Sequence, residues 1–290
     1  MNPRYPIYIP SKGRYETRHT MKALDRMNVL YRVVVEEEEY SQYAKYIDET
    51  KLLVLDKRYQ REYDTCDDLG DTKPKGSGPA RNFIWDHAIS EGHEWHWIMD
   101  DNIRMFNRFN KHSINEILDG VFFRAMEDFV LRYINVVMAG PHYCMFIPRK
   151  DSWPRPFVLN TRIYSCNLIR NDIPFRWRAR YNEDTDLSLR ILKAGYCTVL
   201  FYAFLQDKLT TQLVRGGNTD TVYKDGTYDK SQMLVDLHPD VAKLVWRYGR
   251  WHHHVDYRRF KKNKLKKQDD IEITNERDEY GMKLIRIGRS

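Results

Sequence analysis

Short apolar stretches alternate along this chain with polar segments phased as helices. Tyr5–Pro10 reads as a short buried strand that runs into the turn Ser11-Lys12-Gly13-Arg14. The pattern then predicts a helix through Met27, a β-branched strand Tyr31–Val35 closed by Glu36–Glu39, a helix over 40–48 and a strand Leu52–Leu55. That β-α-β-α-β order, at short spacing, builds a parallel sheet. Residues 56–79 are polar and read as a loop, followed by a helix Pro79–Ile89 and a strand Trp95–Met99 that ends in acids. Beyond it the pattern predicts a helix over 114–131 and a strand over 133–139. Tyr143–Ile147 and Thr161–Ile169 read as antiparallel strands. A helix over 182–194 is capped by Gly195, and a strand over 197–204 follows. A loop with Gly216-Gly217-Asn218 and a helix near 231–247 complete the pattern. The class is α/β, with one domain over 1–240 and an extension over 241–290.

Composition narrows this little, because it is that of an ordinary globular protein rich in Tyr and Trp. At 290 residues the chain can bury a sizeable core. No apolar run approaches the length of a membrane span, and Met1-Asn2-Pro3-Arg4 opens no signal-peptide core. Cys66, Cys144, Cys166 and Cys197 have no paired spacing and read as reduced thiols of a cytoplasmic protein. Nothing in the pattern calls for an obligate protein partner. Charge is more informative: residues 241–290 hold fourteen Lys and Arg against seven acids, whereas residues 1–240 balance. The excess is densest at Arg258, Arg259, Lys261, Lys262, Lys264, Lys266 and Lys267, with aromatics interleaved before it. A solvated face explains such a run, and so does a nucleic-acid contact. His252-His253-His254 cannot all face one ion, so a surface role suits them better.

Two acidic clusters carry the candidate chemistry. Asp100-Asp101-Asn102 closes an apolar strand, where carboxylates and an amide could hold Mg²⁺ or Mn²⁺ beside a phosphate, or simply end a strand in a polar turn. Glu183, Asp184 and Asp186 follow Asn182 at a helix start, where acids suit the helix dipole and Asn182 suits an N-cap. A carboxylate aimed from there into a crevice also suits a general base. Ser11-Lys12-Gly13-Arg14, after the first strand, borders the crevice of an open α/β sheet. Gly76-Ser77-Gly78-Pro79-Ala80-Arg81-Asn82 places glycines before a helix start that can meet an anion.

With these segments in order, the chain resembles the GT-A glycosyltransferases, and more narrowly the TET-associated glycosyltransferases found in phages. The resemblance rests on Ile9–Arg14, Gly78–Asn82, Trp97–Asn102, Asn182–Leu187 and Gly216–Asn218, over residues 5 to 240. It implies a Rossmann-like, mixed but mostly parallel sheet flanked by helices. It also implies transfer of a sugar from a UDP-sugar to a 5-hydroxymethylpyrimidine in DNA, 5-hydroxymethylcytosine first, in the host cytoplasm if the chain is phage-encoded. Carried over, Pro10, Ser11, Lys12, Arg14 and Glu36 line the nucleotide pocket, Arg81 sits near the diphosphate, and Asp100 approaches the ribose. Asp101 and Asn102 take the metal end of the aspartate-x-aspartate motif, which departs from the pattern by having Asn102 last. His238 is the later histidine implied to complete the shell of Mn²⁺ or Mg²⁺. Asp184, paired with Glu183, corresponds to the catalytic base. The basic extension would hold the DNA. The alternatives are a transferase acting on protein or polysaccharide, a sugar-nucleotide nucleotidyltransferase (whose GxGxR-type signature is missing here), and a DNA-binding module with structural acids.

Overall fold

The computed structural model describes residues 2–110, 113–147, 155–209 and 227–272. Its first third is the predicted alternation: β1 (Ile7–Pro10), α1 (His19–Arg26), β2 (Arg32–Val35), α2 (Tyr40–Ala44) and β3 (Leu52–Val54). Helix α3 (Lys57–Glu62), helix α4 (Gly78–Ser90) and strand β4 (Trp95–Met99) follow, then β5 (Ile103–Asn110), β6 (Ser113–Glu116) and α5 (Val121–Val130). The remainder is β7 (Val136–Tyr143), β8 (Phe157–Leu159), β9 (Cys166–Arg170), α6 (Glu183–Lys193), β10 (Cys197–Lys208), α7 (Tyr228–Leu237), β11 (Ala242–Arg247) and β12 (Arg250–Val255).

Ten strands form one sheet in the order β3-β2-β1-β4-β9-β7-β10-β5-β6, with β8 beside β10. By their pairings, seven of the ten point one way, and β5, β8 and β9 are reversed. The chain is α/β with a mixed, mostly parallel sheet, as expected. Strands β2 and β3 are laid to one side of β1, and β4 to the other. That reversal opens a crevice at the carboxyl ends of β1 and β4, where α/β sheets bind ligands.

Alternation along the central strands supplies both faces of the core. Ile7, Ile9, Val33, Val35, Trp97 and Met99 pack with α1 and α5 on one face. Tyr8, Val34 and Ile98 meet Ile84, Trp85 and Ala88 of α4 and Leu187 and Ile191 of α6 on the other. Each large apolar side chain so buried contributes about 1.5–3 kcal/mol. Trp97 stays satisfied at depth because its indole N–H donates to Glu127 Oε1 at 2.8 Å.

Several elements differ from the sequence expectation. The segment 56–79 contains α3 and is pinned by Arg180, whose buried guanidinium bonds Asp67 at 2.7 Å and the Gly70 carbonyl at 2.9 Å. Strand β5 lies where the sequence pattern predicted no element. Its polar Asn107 is buried and pairs across the sheet with Leu205, so the apolar alternation is broken in the sequence. The helix expected over 114–131 is the strand β6 followed by α5. Cys144–Phe146 form a 3-10 turn rather than a strand. The helix expected near 231–247 stops at Leu237, because Pro239 cannot continue it, and the chain re-forms as the hairpin β11–β12.

The basic segment is no free tail. Phe260 is buried among Leu189, Leu192, Leu234 and Val241. Asn263 Nδ2 donates to the Leu192 carbonyl at 2.8 Å, and Asn135 clasps the backbone of Lys264 and Lys266 at 2.8 Å each. Arg258, Arg259, Lys261, Lys262, Lys264, Lys266 and Lys267 all stand exposed on this anchored backbone. No helix among the described residues is long and apolar enough to cross a membrane. Among the described residues, none of the four cysteines forms a disulfide. Gly216-Gly217-Asn218 lies outside the described residues.

Candidate active site

A cleft of about 930 Å³ opens over the carboxyl ends of β1, β2 and β4. Pro10, Ser11, Lys12, Arg14, Glu36, Arg81, Asp100, Asp101, Asn102, Glu183 and Asp184 all line it. Its size suits a nucleotide-sized ligand. The two acidic segments, far apart in sequence, therefore share one space.

Arg81 is what joins them. It projects from the first turn of α4, buried, with its guanidinium 4.5 Å from the Trp177 ring. One nitrogen bonds Asp184 Oδ1, and the other lies 3.0 Å from Asp100 Oδ1 and 3.9 Å from Glu183 Oε1. The approach of α4 depends on Gly78, where a Cβ would stand 1.9 Å from the Tyr63 hydroxyl. Tyr63 is itself fixed by donating to the Ala179 carbonyl at 2.8 Å.

Asp100 has a second cation. Lys208, the last residue of β10, places Nζ 2.5 Å from Asp100 Oδ2 and 2.8 Å from Ser165 Oγ. Burial pushes the Asp100 carboxyl up, but Lys208 and Arg81 outweigh it and hold the group well below the usual carboxylate range. The same partnership holds Lys208 protonated against its own burial. Glu183 and Asp184 differ. Burial raises both carboxyls above the ordinary value, and Arg81 offsets only part of it. Glu183 also accepts a 3.3 Å bond from Ser77 Oγ.

The helix-capping explanation of the α6 acids is incomplete. Asn182 sits in the left-handed region at φ 58°, makes no side-chain cap, and donates to the Lys230 carbonyl at 2.6 Å. Asp186 turns away from the cleft and is fully buried. It accepts from Arg190 at 2.7 Å, Arg178 at 3.1 Å and His238 Nε2 at 2.9 Å. Burial opposes its charge, but His238, Arg190 and Arg178 keep the carboxyl below its usual value.

The remaining expected positions divide. Lys12 grips both oxygens of Glu36 at 2.8 Å, and Gln60 Nε2 donates to the same carboxylate at 3.0 Å, forming the β2 side of the cleft. Asp101 is consumed inward by Arg14 and by Ser11 Oγ at 2.7 Å. Asn102 Nδ2 donates to the Leu209 carbonyl at 3.0 Å. His238 does not line the cleft; it lies beneath α6 on Asp186 and Lys193. Arg178 and Arg180, in the segment before α6, are likewise taken up by Asp186 and Asp67.

The implied Mn²⁺ or Mg²⁺ does not fit this donor set. Such an ion needs several oxygens free to turn toward it. Asp101 is closed off by Arg14 and Ser11, His238 is elsewhere, and Asp100 already carries Arg81 and Lys208. The Asn102 Oδ1 is buried without a hydrogen-bond partner among the described residues, but one neutral amide oxygen is no divalent site. Among the described residues, no group of three His, Cys, Asp or Glu is arranged to hold a metal. Sequence reasoning missed Lys208 and Ser165. The signal for Lys208 was a lysine closing a buried strand, as Asp100 does from β4.

The chain belongs to the TET-associated glycosyltransferase family, whose model matches residues 5–217. It is accordingly a glycosyltransferase. No curated protein matches it significantly.

Proposed function

We propose that this TET-associated glycosyltransferase moves a sugar from a UDP-sugar to the hydroxymethyl group of a 5-hydroxymethylpyrimidine in DNA, 5-hydroxymethylcytosine first. The observation that carries the reading is the convergence of Asp100, Glu183 and Asp184 on Arg81 in one nucleotide-sized cleft. The nucleotide lies along Pro10, Ser11, Lys12 and Glu36, and its diphosphate reaches toward Arg81 and Lys208. As the hydroxymethyl oxygen attacks C1, Asp184 accepts its proton and the bond from C1 to the β-phosphate oxygen breaks. The negative charge left on the diphosphate is met by the two fixed cations, which need no reorganisation as it forms. A base whose carboxyl is raised by burial takes a proton more readily than an exposed one. Glu183 shares the field of Arg81 and tunes its neighbour. The hydroxymethyl group projects into the major groove, so a flipped base is not required.

The test is incubation with hydroxymethylcytosine, hydroxymethyluracil and unmodified DNA, and with protein and polysaccharide acceptors, across a panel of UDP-sugars. A hexose-sized mass gain confined to nucleosides from hydroxymethylated DNA is expected. Labelling of the protein or polysaccharide while every DNA stays unmodified would overturn the acceptor.

A further inference from the structure

The hairpin β11–β12 breaks three local rules at one tip. Its register pairs Trp246 with Trp251 and Arg247 with Arg250, leaving Tyr248 and Gly249 as a two-residue turn. Both turn residues have positive φ, 53° and 72°. Such turns favour Asn-Gly, and a bulky side chain in the left-handed region is a costly exception. Tyr248 is also 93% exposed and Trp246 60%, so neither aromatic is there to fill a core. Finally, Arg247 and Arg250 stand directly opposite each other, where like charges repel.

The base of the hairpin, by contrast, is firmly seated. Val241 and Ala242 are buried, Val255 packs against the cluster around Phe260, and the Asp256 N–H donates to the Val241 carbonyl at 2.8 Å. The strained tip is therefore held out on a fixed stem. Residues 242–255 contain Lys243, Arg247 and Arg250 and no acid. The stretch also lies beyond the part of the chain that the family model matches.

We infer that the tip of the β11–β12 hairpin is a nucleic-acid contact, in which Tyr248 stacks on a base and Arg247 and Arg250 take the flanking phosphates. One ligand class accounts for both the exposed aromatics and the opposed arginines. A base offers a flat face to an exposed ring whatever its sequence, and phosphates neutralise the opposed arginines. The tip carries no acid, and Arg250 donates to His252 at 3.3 Å rather than to a carboxylate, so a polyanion supplies the charge that an ordinary protein surface would not. As the docking element for the acceptor, the inference rests on the DNA reading above, although binding at the hairpin can be measured without any sugar transfer.

The experiment is fluorescence anisotropy of labelled single-stranded and duplex hydroxymethylcytosine DNA against the full chain. Tyr248→Asn installs the favoured Asn-Gly turn, so the variant should melt at or above the parent temperature. It should nevertheless bind DNA about five- to a hundredfold more weakly, the usual worth of one aromatic–base stack, and Tyr248→Trp should restore binding. Arg247→Gln with Arg250→Gln should flatten the salt dependence of log K, by roughly 0.9 in slope for each duplex phosphate that an arginine no longer neutralises. DNA affinity within twofold of the parent for Tyr248→Asn, or no measurable affinity in the parent, overturns the inference. So does loss of binding to phosphatidylglycerol vesicles with DNA binding unchanged. A parent that grips DNA through the hairpin yet glycosylates only protein or polysaccharide sinks the functional reading and leaves the hairpin standing.

Discussion

Glu183 and Asp184 share one arginine, and their burial should make transfer depend on pH. Burial lifts both carboxyls, with Arg81 pulling the other way. A base works when deprotonated, so the rate of transfer should fall as pH drops, with a midpoint above the ordinary carboxylate range. A pH–rate profile at saturating donor and acceptor measures it, and an acid limb at or below about pH 4, where free carboxylates titrate, would contradict it. The stability linkage has the same origin. A carboxyl raised in the folded state favours folding at low pH, and that contribution is lost as pH rises through the folded value. Asp186 has the opposite sign: its depressed carboxyl stabilises the fold above the unfolded value and stops doing so as pH falls through the folded one. Arg81, Asp100 and Asp184 were legible in the sequence because each sits at the end of a strand or the start of a helix. Asp186 and His238 were not separable from them, because which side of a helix faces the cleft depends on the docking of α6.

At the scale of elements, the start of α4 sets where Arg81 stands. Gly78 lets the helix pass against the Tyr63 ring, which a Cβ would enter. Gly78→Ala should therefore destabilise the protein by about 1–3 kcal/mol, as overpacking does, and weaken donor binding by shifting Arg81. Denaturant unfolding and calorimetry with UDP together check it. Parent-like stability and affinity would show that the packing there relaxes freely. The alternation from β1 to β4 was legible because each strand is a short apolar run between helix-phased segments. Strand β5 was not, since its polar Asn107 is buried by pairing that only the assembled sheet supplies. The turn from α7 into the hairpin carried a signal, Pro239, that the apolar phase of the segment outweighed.

Across the whole molecule, charge is sorted into a balanced body and a basic face. The cleft in the body carries its own cations: Lys208 and Arg81 on Asp100, and Arg14 on Asp101. UDP affinity should thus be equal, within about threefold, in EDTA and in Mn²⁺, and Lys208→Met should lower it in both. Calorimetry decides this, and binding that requires Mn²⁺ would mean that the acids rearrange around an ion. In the charge distribution the other pole is the exposed basic row from Arg258 to Lys267, which does not line the cleft and is held on a backbone docked beside the start of β7 and on α6. That pole was legible as composition, but its docking through Phe260, Asn135 and Asn263 was not, because the bonds join residues more than sixty positions apart.

The claim that the two acidic segments form one transferase centre rests most heavily on Asp184. Single-turnover transfer from a UDP-sugar to hydroxymethylcytosine DNA, in the parent and in Asp184→Asn, measures it directly, with UDP affinity as the control for an intact cleft. UDP affinity should stay within a few-fold of the parent, and the rate should fall by about two to four orders of magnitude, the usual worth of a general base. A variant that transfers sugar at close to the parent rate would contradict it and leave Asp184 as no more than a partner for Arg81.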